Sequence, residues 1–396
     1  MEALADLDTF RRETRAWLEA NCPPEMLRPM SGEADICWGG RRWQFASEAQ
    51  RVWLDRMAAR GWTVPTWPVE CGGAGLGAAE AKVLREEMAA LGCRPPLQSF
   101  GIWMLGPALL RYGTDAQKRR YLPPIARGEI RWCQGYSEPD AGSDLASLAT
   151  RAEVHDDHFV VSGQKVWTSY ADQADWIFCL VRTDTAKKHT GISFLLLDMA
   201  SPGVSTRPIR LISGKSPFCE TFFDGVRVPR DQLVGELNGG WSVAKYLLTH
   251  EREMIGAVGE RSTAAAPRDA ALAVAGRDAQ GRLDAPMLRA DIARFEADEA
   301  AFRAWMAMVA AQHRAGQAHP AVSSGLKYVG AELNKRRWEL LMAAGGNGAL
   351  EWTGERSQEG AVPRAWLRSK ANSIEGGTSE VQLNVIAKRV LGLPGA

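Results

Sequence analysis

Apolar positions recur along this chain at two different periods, and the period changes twice. Up to about residue 130 the spacing is three to four, and 45–57 and 78–91 predict amphipathic helices. Between them, 61–68 and 71–77 carry too much Gly and Pro for a helix and predict a long loop. Thr114 predicts the N-cap of a short helix that ends before Pro123-Pro124. From about 131 to 235 the pattern turns to strands. Residues 152–155 and 159–162 around Asp156-Asp157 read as a hairpin, with further strands at 176–181, 192–197 and 205–211. From Trp241 onward helical spacing returns near 241–263, 286–316, 320–343 and 379–391, with Pro286 and Pro320 in first turns. The Ala/Arg/Asp-rich stretch at 264–284 is expected to be a mobile connection. Helices, then strands, then helices predict an α+β protein with domains at 1–130, 131–235 and 236–396.

Composition narrows the function classes. The chain has 396 residues, 45% apolar and 24% charged, with a formal net charge of +1. A near-neutral balance argues against a nucleic-acid binder that relies on a broad basic field. No apolar run is long enough for a membrane span. The acidic start (Glu2, Asp6, Asp8) lacks a signal-peptide core, so a cytoplasmic location is expected. Seven dispersed cysteines without a C-x-x-C pair suit reduced core thiols, and the six histidines show no metal-ligand spacing.

Four stretches carry specific chemistry. Gln134-Gly135-Tyr136-Ser137-Glu138-Pro139-Asp140-Ala141-Gly142-Ser143-Asp144 resembles the signature loop of acyl-CoA dehydrogenases. The Gly-Trp…Pro-x-Trp-Pro-x-Glu-x-Gly-Gly run at 61–73, Gly163-Gln164-Lys165-Val166-Trp167-Thr168-Ser169, and Glu375-Gly376-Gly377-Thr378-Ser379-Glu380-Val381-Gln382 agree with that family in order and spacing. The resemblance covers essentially the whole chain. It implies an N-terminal helical domain, a central β-barrel-like domain, a C-terminal four-helix bundle, and FAD as cofactor. By similarity, Tyr136 and Ser137 contact the flavin ring, Trp167 stacks near it and Ser169 lies close to its reactive nitrogen. Read without the family, Trp167 is a core aromatic, and Ser143 and Asp144 cap a turn. The resemblance instead puts Ser143 beside the CoA pantetheine arm. Ser379-x-x-Gln382 reads as a capping box, and a helix start behind two glycines suits an anion. The family places the FAD pyrophosphate there, which makes Thr378 and Glu380 cofactor candidates.

The implied reaction removes a proton alpha to a thioester and sends a hydride from the beta carbon to the flavin, which requires a carboxylate base in a dry pocket. In much of the family that base stands where this chain has Gly376. Two acids could replace it. Glu375 lies one residue earlier. Glu251 falls within an apolar stripe formed by Ala244, Leu247, Leu248, Met254, Ile255 and Val258, where a carboxylate is costly unless paired or functional. Its pairing alternative is an Arg such as Arg252. Branched-chain and long-chain members carry their base on this helix in a Glu-Arg pair that matches Glu251-Arg252, with Arg252 toward the substrate. Gly376 keeps its N–H, so its backbone amide can still polarise the thioester carbonyl.

The chain also departs from the family. No Arg-x-x-Phe-Gly run occurs around 260–285, and Met342 stands where a Gln is common, although Gly345 and Gly346 still permit close backbone approach to the cofactor. The resemblance implies an acyl-CoA substrate, with a branched or bulky acyl group favoured, an electron-transfer flavoprotein as acceptor, and a homo-dimer or tetramer or a heteromer with a related subunit. Its rivals are an oxidase, desulfinase or monooxygenase on the same fold, and a non-catalytic subunit of a heteromeric dehydrogenase.

Overall fold

The computed structural model describes residues 2–30, 32–256, 266–319, 321–357 and 359–394; the side chains of 2–5, 249–256 and 313–314 lie outside the described set. The chain forms two compact units, one of Met1–Ile209 with Pro217–Leu247, the other of Arg210–Ser216 with Leu248–Ala396.

The first unit opens with α1 (Glu2–Asn21), α2 (Glu48–Ala59), α3 (Ala78–Leu91), α4 (Gly106–Tyr112) and α5 (Asp115–Ala126). A π-helical turn at Gly101–Leu105 leads into α4. Leu18, Trp53, Met57, Trp62 and Leu84 form one core among these helices. The loop at 61–77 holds only a single 3₁₀ turn, at Val69–Cys71. Its tryptophans are structural: Trp67 lies so close to Gly106 that a Cβ there would stand 2.1 Å from the ring. Thr114 caps α5 in a reciprocal pair with Gln117. That helix does not stop before Pro123-Pro124, as the sequence predicts, but runs through both to Ala126. The prolines fall in the last turn, where their carbonyls still accept from Arg127 and Glu129.

The seven-stranded sheet comprises β1 (Trp132–Gly135), β2 (Arg151–Val154), β3 (His158–Ser169), β4 (Trp176–Arg182), β5 (Ile192–Asp198), β6 (Val204–Ile209) and β7 (Phe218–Pro229). Its order is β1-β4-β2-β3-β7-β6, with β5 also paired to β4. The β2–β3 hairpin forms with Val154 opposite Phe159. The sequence reading did not resolve β7. Cys219, Thr221 and Phe223 point inward, but so do Val226 and Val228, because Asp224-Gly225 shifts the alternation mid-strand. Opposite that shift, β3 advances from Val161 to Gly163 while β7 moves from Val226 to Phe223. A second slip lies between Lys165 and Thr168, paired with Thr221 and Cys219, so here the extra residue is on β3.

α6 (Gly240–Gly256) begins in the first unit. The second unit holds α7 (Pro267–Ala275), α8 (Pro286–Arg314), α9 (Val322–Gly345), α10 (Ala361–Ser369) and α11 (Ser379–Val385), the last running into a π-helical turn at Ile386–Val390. The expected mobile connection is ordered from 266 onward, while 257–265 lie outside the described residues. Alanine favours helix there, and the fully buried Ala271 packs with Leu283, Ile292 and Ala344. Pro286 does open α8; Pro320 lies outside the described residues. Among the described residues no helix is long and apolar enough to cross a membrane. None of their His, Cys, Asp and Glu side chains cluster to hold a metal.

Candidate active site

In the first unit the two glutamate- and lysine-bearing motifs close on each other. The Val166 amide donates to the Ser137 carbonyl, which joins the signature loop to β3. Lys165, fully buried, donates to the Tyr136 carbonyl at 3.1 Å and to Glu138 at 2.7 Å. Glu138 in turn accepts from the Ala149 and Thr150 amides. Burial alone would raise the Glu138 carboxyl; the Lys165 charge and these hydrogen bonds outweigh it and hold the group below its ordinary value. Sequence reasoning passed over this pair. Its signal was parity, since Lys165 shares the inward register of Phe159 and Val161 on β3.

The Tyr136 ring is buried edge-on against Phe178 and Phe194, so a contact from this residue to a cofactor falls to its backbone. Trp167 is different from a core aromatic. The slip in β3 puts it at φ +60, and the residue is 54% exposed, with Phe218 edge-on beside its ring. A non-glycine residue in that region stores about 1–3 kcal/mol, a cost met with most often at functional sites. Ser169 ends β3, opposite Phe218. Ser143 is exposed, and it is Asp144 that takes the turn role, accepting from Ser147 and pairing with Lys188.

In the second unit the C-terminal motif makes a two-glycine turn, with Gly376 at φ +64 and Gly377 at φ +91. The helix cap differs from the sequence reading. Thr378, not Ser379, is the N-cap, its hydroxyl accepting from the Val381 amide. Ser379 instead donates to Glu332, and the Gln382 amide turns back to the Gly376 and Gly377 carbonyls. The start of α11 therefore lies one residue earlier than a Ser379 cap would set it. Glu380 is exposed; its own backbone N–H and the Thr378 hydroxyl hold its carboxyl below the ordinary value. A carboxylate there repels a pyrophosphate, so its approach to a cofactor would run through the backbone.

The alternative base Glu375 is engaged. Arg368 grips both its oxygens and Asn372 donates to one of them at 2.6 Å. Both its oxygens are thus taken up by donors of its own unit. Gly345 ends α9 and Gly346 follows at φ +52, open on the side where a Cβ would stand. Ala244 and Leu247 of the apolar stripe are fully buried, while the side chains of Glu251 and Arg252 lie outside the described residues. A groove of about 490 Å³ between α8 and α9, lined by Phe302, Trp305 and Tyr328, contains none of the expected site residues.

The strained turn has a measurable consequence. An alanine at Gly376 must adopt a left-handed backbone, so Gly376→Ala is expected to cost about 1–2 kcal/mol of stability, read from thermal unfolding of the holoprotein.

Family models of the acyl-CoA dehydrogenase N-terminal, middle and C-terminal domains match residues 5–129, 133–226 and 238–391. The chain belongs to the acyl-CoA dehydrogenase family. It is an oxidoreductase of acyl-CoA thioesters and a flavoprotein with FAD as cofactor. Acyl-CoA dehydrogenase IpdE1 of Mycobacterium tuberculosis is 37% identical to this dehydrogenase over 394 residues, covering 99% of each chain. A solved steroid ACAD, Tcur3481-Tcur3483, is 32% identical with a TM-score of 0.77, over 99% of this chain and 98% of that one. The ChsE4-ChsE5 complex from Mycobacterium tuberculosis gives 31% identity and a TM-score of 0.73, over 99% and 98%. The fold of this dehydrogenase is that of the family, with helical N- and C-terminal domains and a curled sheet between them.

Proposed function

We propose that this dehydrogenase converts a branched or ring-bearing acyl-CoA to its 2,3-enoyl-CoA and passes the electrons to an electron-transfer flavoprotein. The observation that carries the flavin part is Trp167, a strained and exposed aromatic wall beside the signature loop. Bound FAD supplies the hydride acceptor. Trp167 would cover the ring, the Tyr136 backbone, Ser137 and Ser169 would meet its polar edge, and Thr378, Glu380, Gly345 and Gly346 would approach the rest of the cofactor. Glu251 takes the alpha proton, with Arg252 beside it and Ser143 along the pantetheine arm. The Gly376 amide polarises the thioester carbonyl and stabilises negative charge as the proton leaves.

With a glycine at 376 and Glu375 tied to Arg368, the usual position of the base carries no side chain, which favours a bulky acyl group. The steroid ACAD among the similar structures supports the same direction. That relative and the ChsE4-ChsE5 complex each carry two subunit names, which supports assembly with a related subunit over a homo-oligomer.

The test is an anaerobic titration of the purified protein with straight, branched and ring-bearing acyl-CoAs. Bleaching of the flavin band by the bulky class, followed by reoxidation with an electron-transfer flavoprotein, is the expected result. A yellow protein bleached only by short straight chains would overturn the substrate assignment. A protein that stays colourless with added FAD would make it a non-catalytic subunit.

A further inference from the structure

The buried cation on α9 has no part in the chemistry described so far. Lys327 is fully buried, and its ammonium donates to the Gly377 carbonyl at 2.7 Å. Gln382, also fully buried, donates to the Gly376 carbonyl at 3.1 Å and reaches the Gly377 carbonyl at 3.4 Å. Both carbonyls of the turn are therefore drawn inward. A trans peptide sets its N–H opposite its C=O, so the N–H groups of Gly377 and Thr378 face away from Lys327 and Gln382.

A neutral donor would satisfy one carbonyl, and burying an ammonium is costly. Burial is the largest influence on Lys327 and pulls its pKa down; Glu375, Glu332 and Glu380 push it back up, and Lys335 opposes them. Two of those acids are already engaged, Glu375 by Arg368 and Asn372, Glu332 by Lys335 and Ser379. These acids offset part of the cost of burying an ammonium beside the turn on which the proposed reaction depends. The peptide that Lys327 polarises is the one between Gly377 and Thr378, so toward the Gly376 N–H it acts by fixing the turn in place.

We propose that Lys327 is a positioning residue for the dehydrogenation, holding the Gly376–Gly377 turn so that its backbone amides meet and polarise the thioester carbonyl. This inference rests on the reading in which that carbonyl is received at Gly376. Lys327 itself touches neither substrate nor the transferred proton.

The test compares wild-type and Lys327→Met holoenzymes, measuring flavin content, KM, the limiting rate of flavin reduction and the carbonyl stretch of a bound carbonyl-labelled enoyl-CoA. The expected result is retained flavin, a KM within about threefold, a limiting rate lowered about tenfold or more, and a carbonyl stretch shifted back toward that of the free thioester. Wild-type rate and stretch in the variant would overturn the inference. So would a variant that loses flavin and stability while ligand bound to the remaining holoenzyme keeps the wild-type stretch. Lys327→Gln, shorter and neutral, carries the same two outcomes where the Met variant does not fold. A wild-type enzyme that leaves the carbonyl stretch unshifted would overturn the Gly376 reading and this inference with it. A shifted wild type beside an equally shifted variant overturns the inference alone.

Discussion

Replacing Glu251 with glutamine is expected to leave flavin and acyl-CoA binding in place while slowing flavin reduction by substrate about 10²- to 10⁴-fold. A carboxamide keeps the shape of the side chain and its hydrogen-bonding reach, but it accepts no proton at neutral pH. Two residues near the C-terminus bear on this. Gly376 removes the acid from its usual place, and Glu375 next to it is gripped by Arg368 and Asn372. Glu251 is the base proposed above, and this variant tests it directly. Anaerobic stopped-flow reduction with the preferred acyl-CoA measures it. A Glu251→Gln enzyme that is reduced at the wild-type rate sinks the assignment, and Glu375→Gln becomes the next variant to examine.

The second large effect is structural. Lys165→Met is expected to destabilise the protein by about 3–5 kcal/mol, because Glu138 is then a buried charge without its partner. The loss should extend to flavin retention, since Lys165 also holds the Tyr136 carbonyl of the signature loop. Chemical denaturation at several pH values separates the electrostatic part. In the wild type the Glu138 carboxyl lies below its ordinary value of 4.5, so its stabilising contribution is complete above that pH and is lost as pH falls through the folded value. In the variant, burial is opposed only by the Ala149 and Thr150 hydrogen bonds and pushes the carboxyl upward, so protonation on the acid side relieves the strain. The gap between wild type and variant should therefore narrow as pH falls from 7 toward 4. A gap that stays constant with pH would mean that lost packing, not the unpaired charge, is responsible.

The parts of this molecule that were legible beforehand are those whose side chains obey a local period. The helices at 48–59 and 78–91, the hairpin around 156–157 and the Thr114 cap follow from spacing and capping chemistry alone. What stayed hidden depended on register and on long-range partners. β7 went unread, and its alternation is broken mid-strand, where Asp224-Gly225 serves as a bulge. Pro123-Pro124 signalled a stop that their place in the last turn of α5 overrode. The helix cap was placed at Ser379 because the Ser-x-x-Gln spacing fits, whereas Gln382 has a stronger use on the glycine carbonyls. At the site, Trp167 could be read as core or as cofactor wall, and only its exposure separates the two. Lys165 and Lys327 drew no notice in the sequence, where a lysine ordinarily marks solvent.

The slip in β3 bears on how this sheet could have come about. Lys165 and Thr168 both face inward although three steps apart, because Trp167 is accommodated as the additional residue. Without residue 167 the two would stand two steps apart, still inward, and strict alternation would be restored. The architecture thus has no requirement for that position. It behaves as an insertion that the sheet carries without disturbing the inward register on either side.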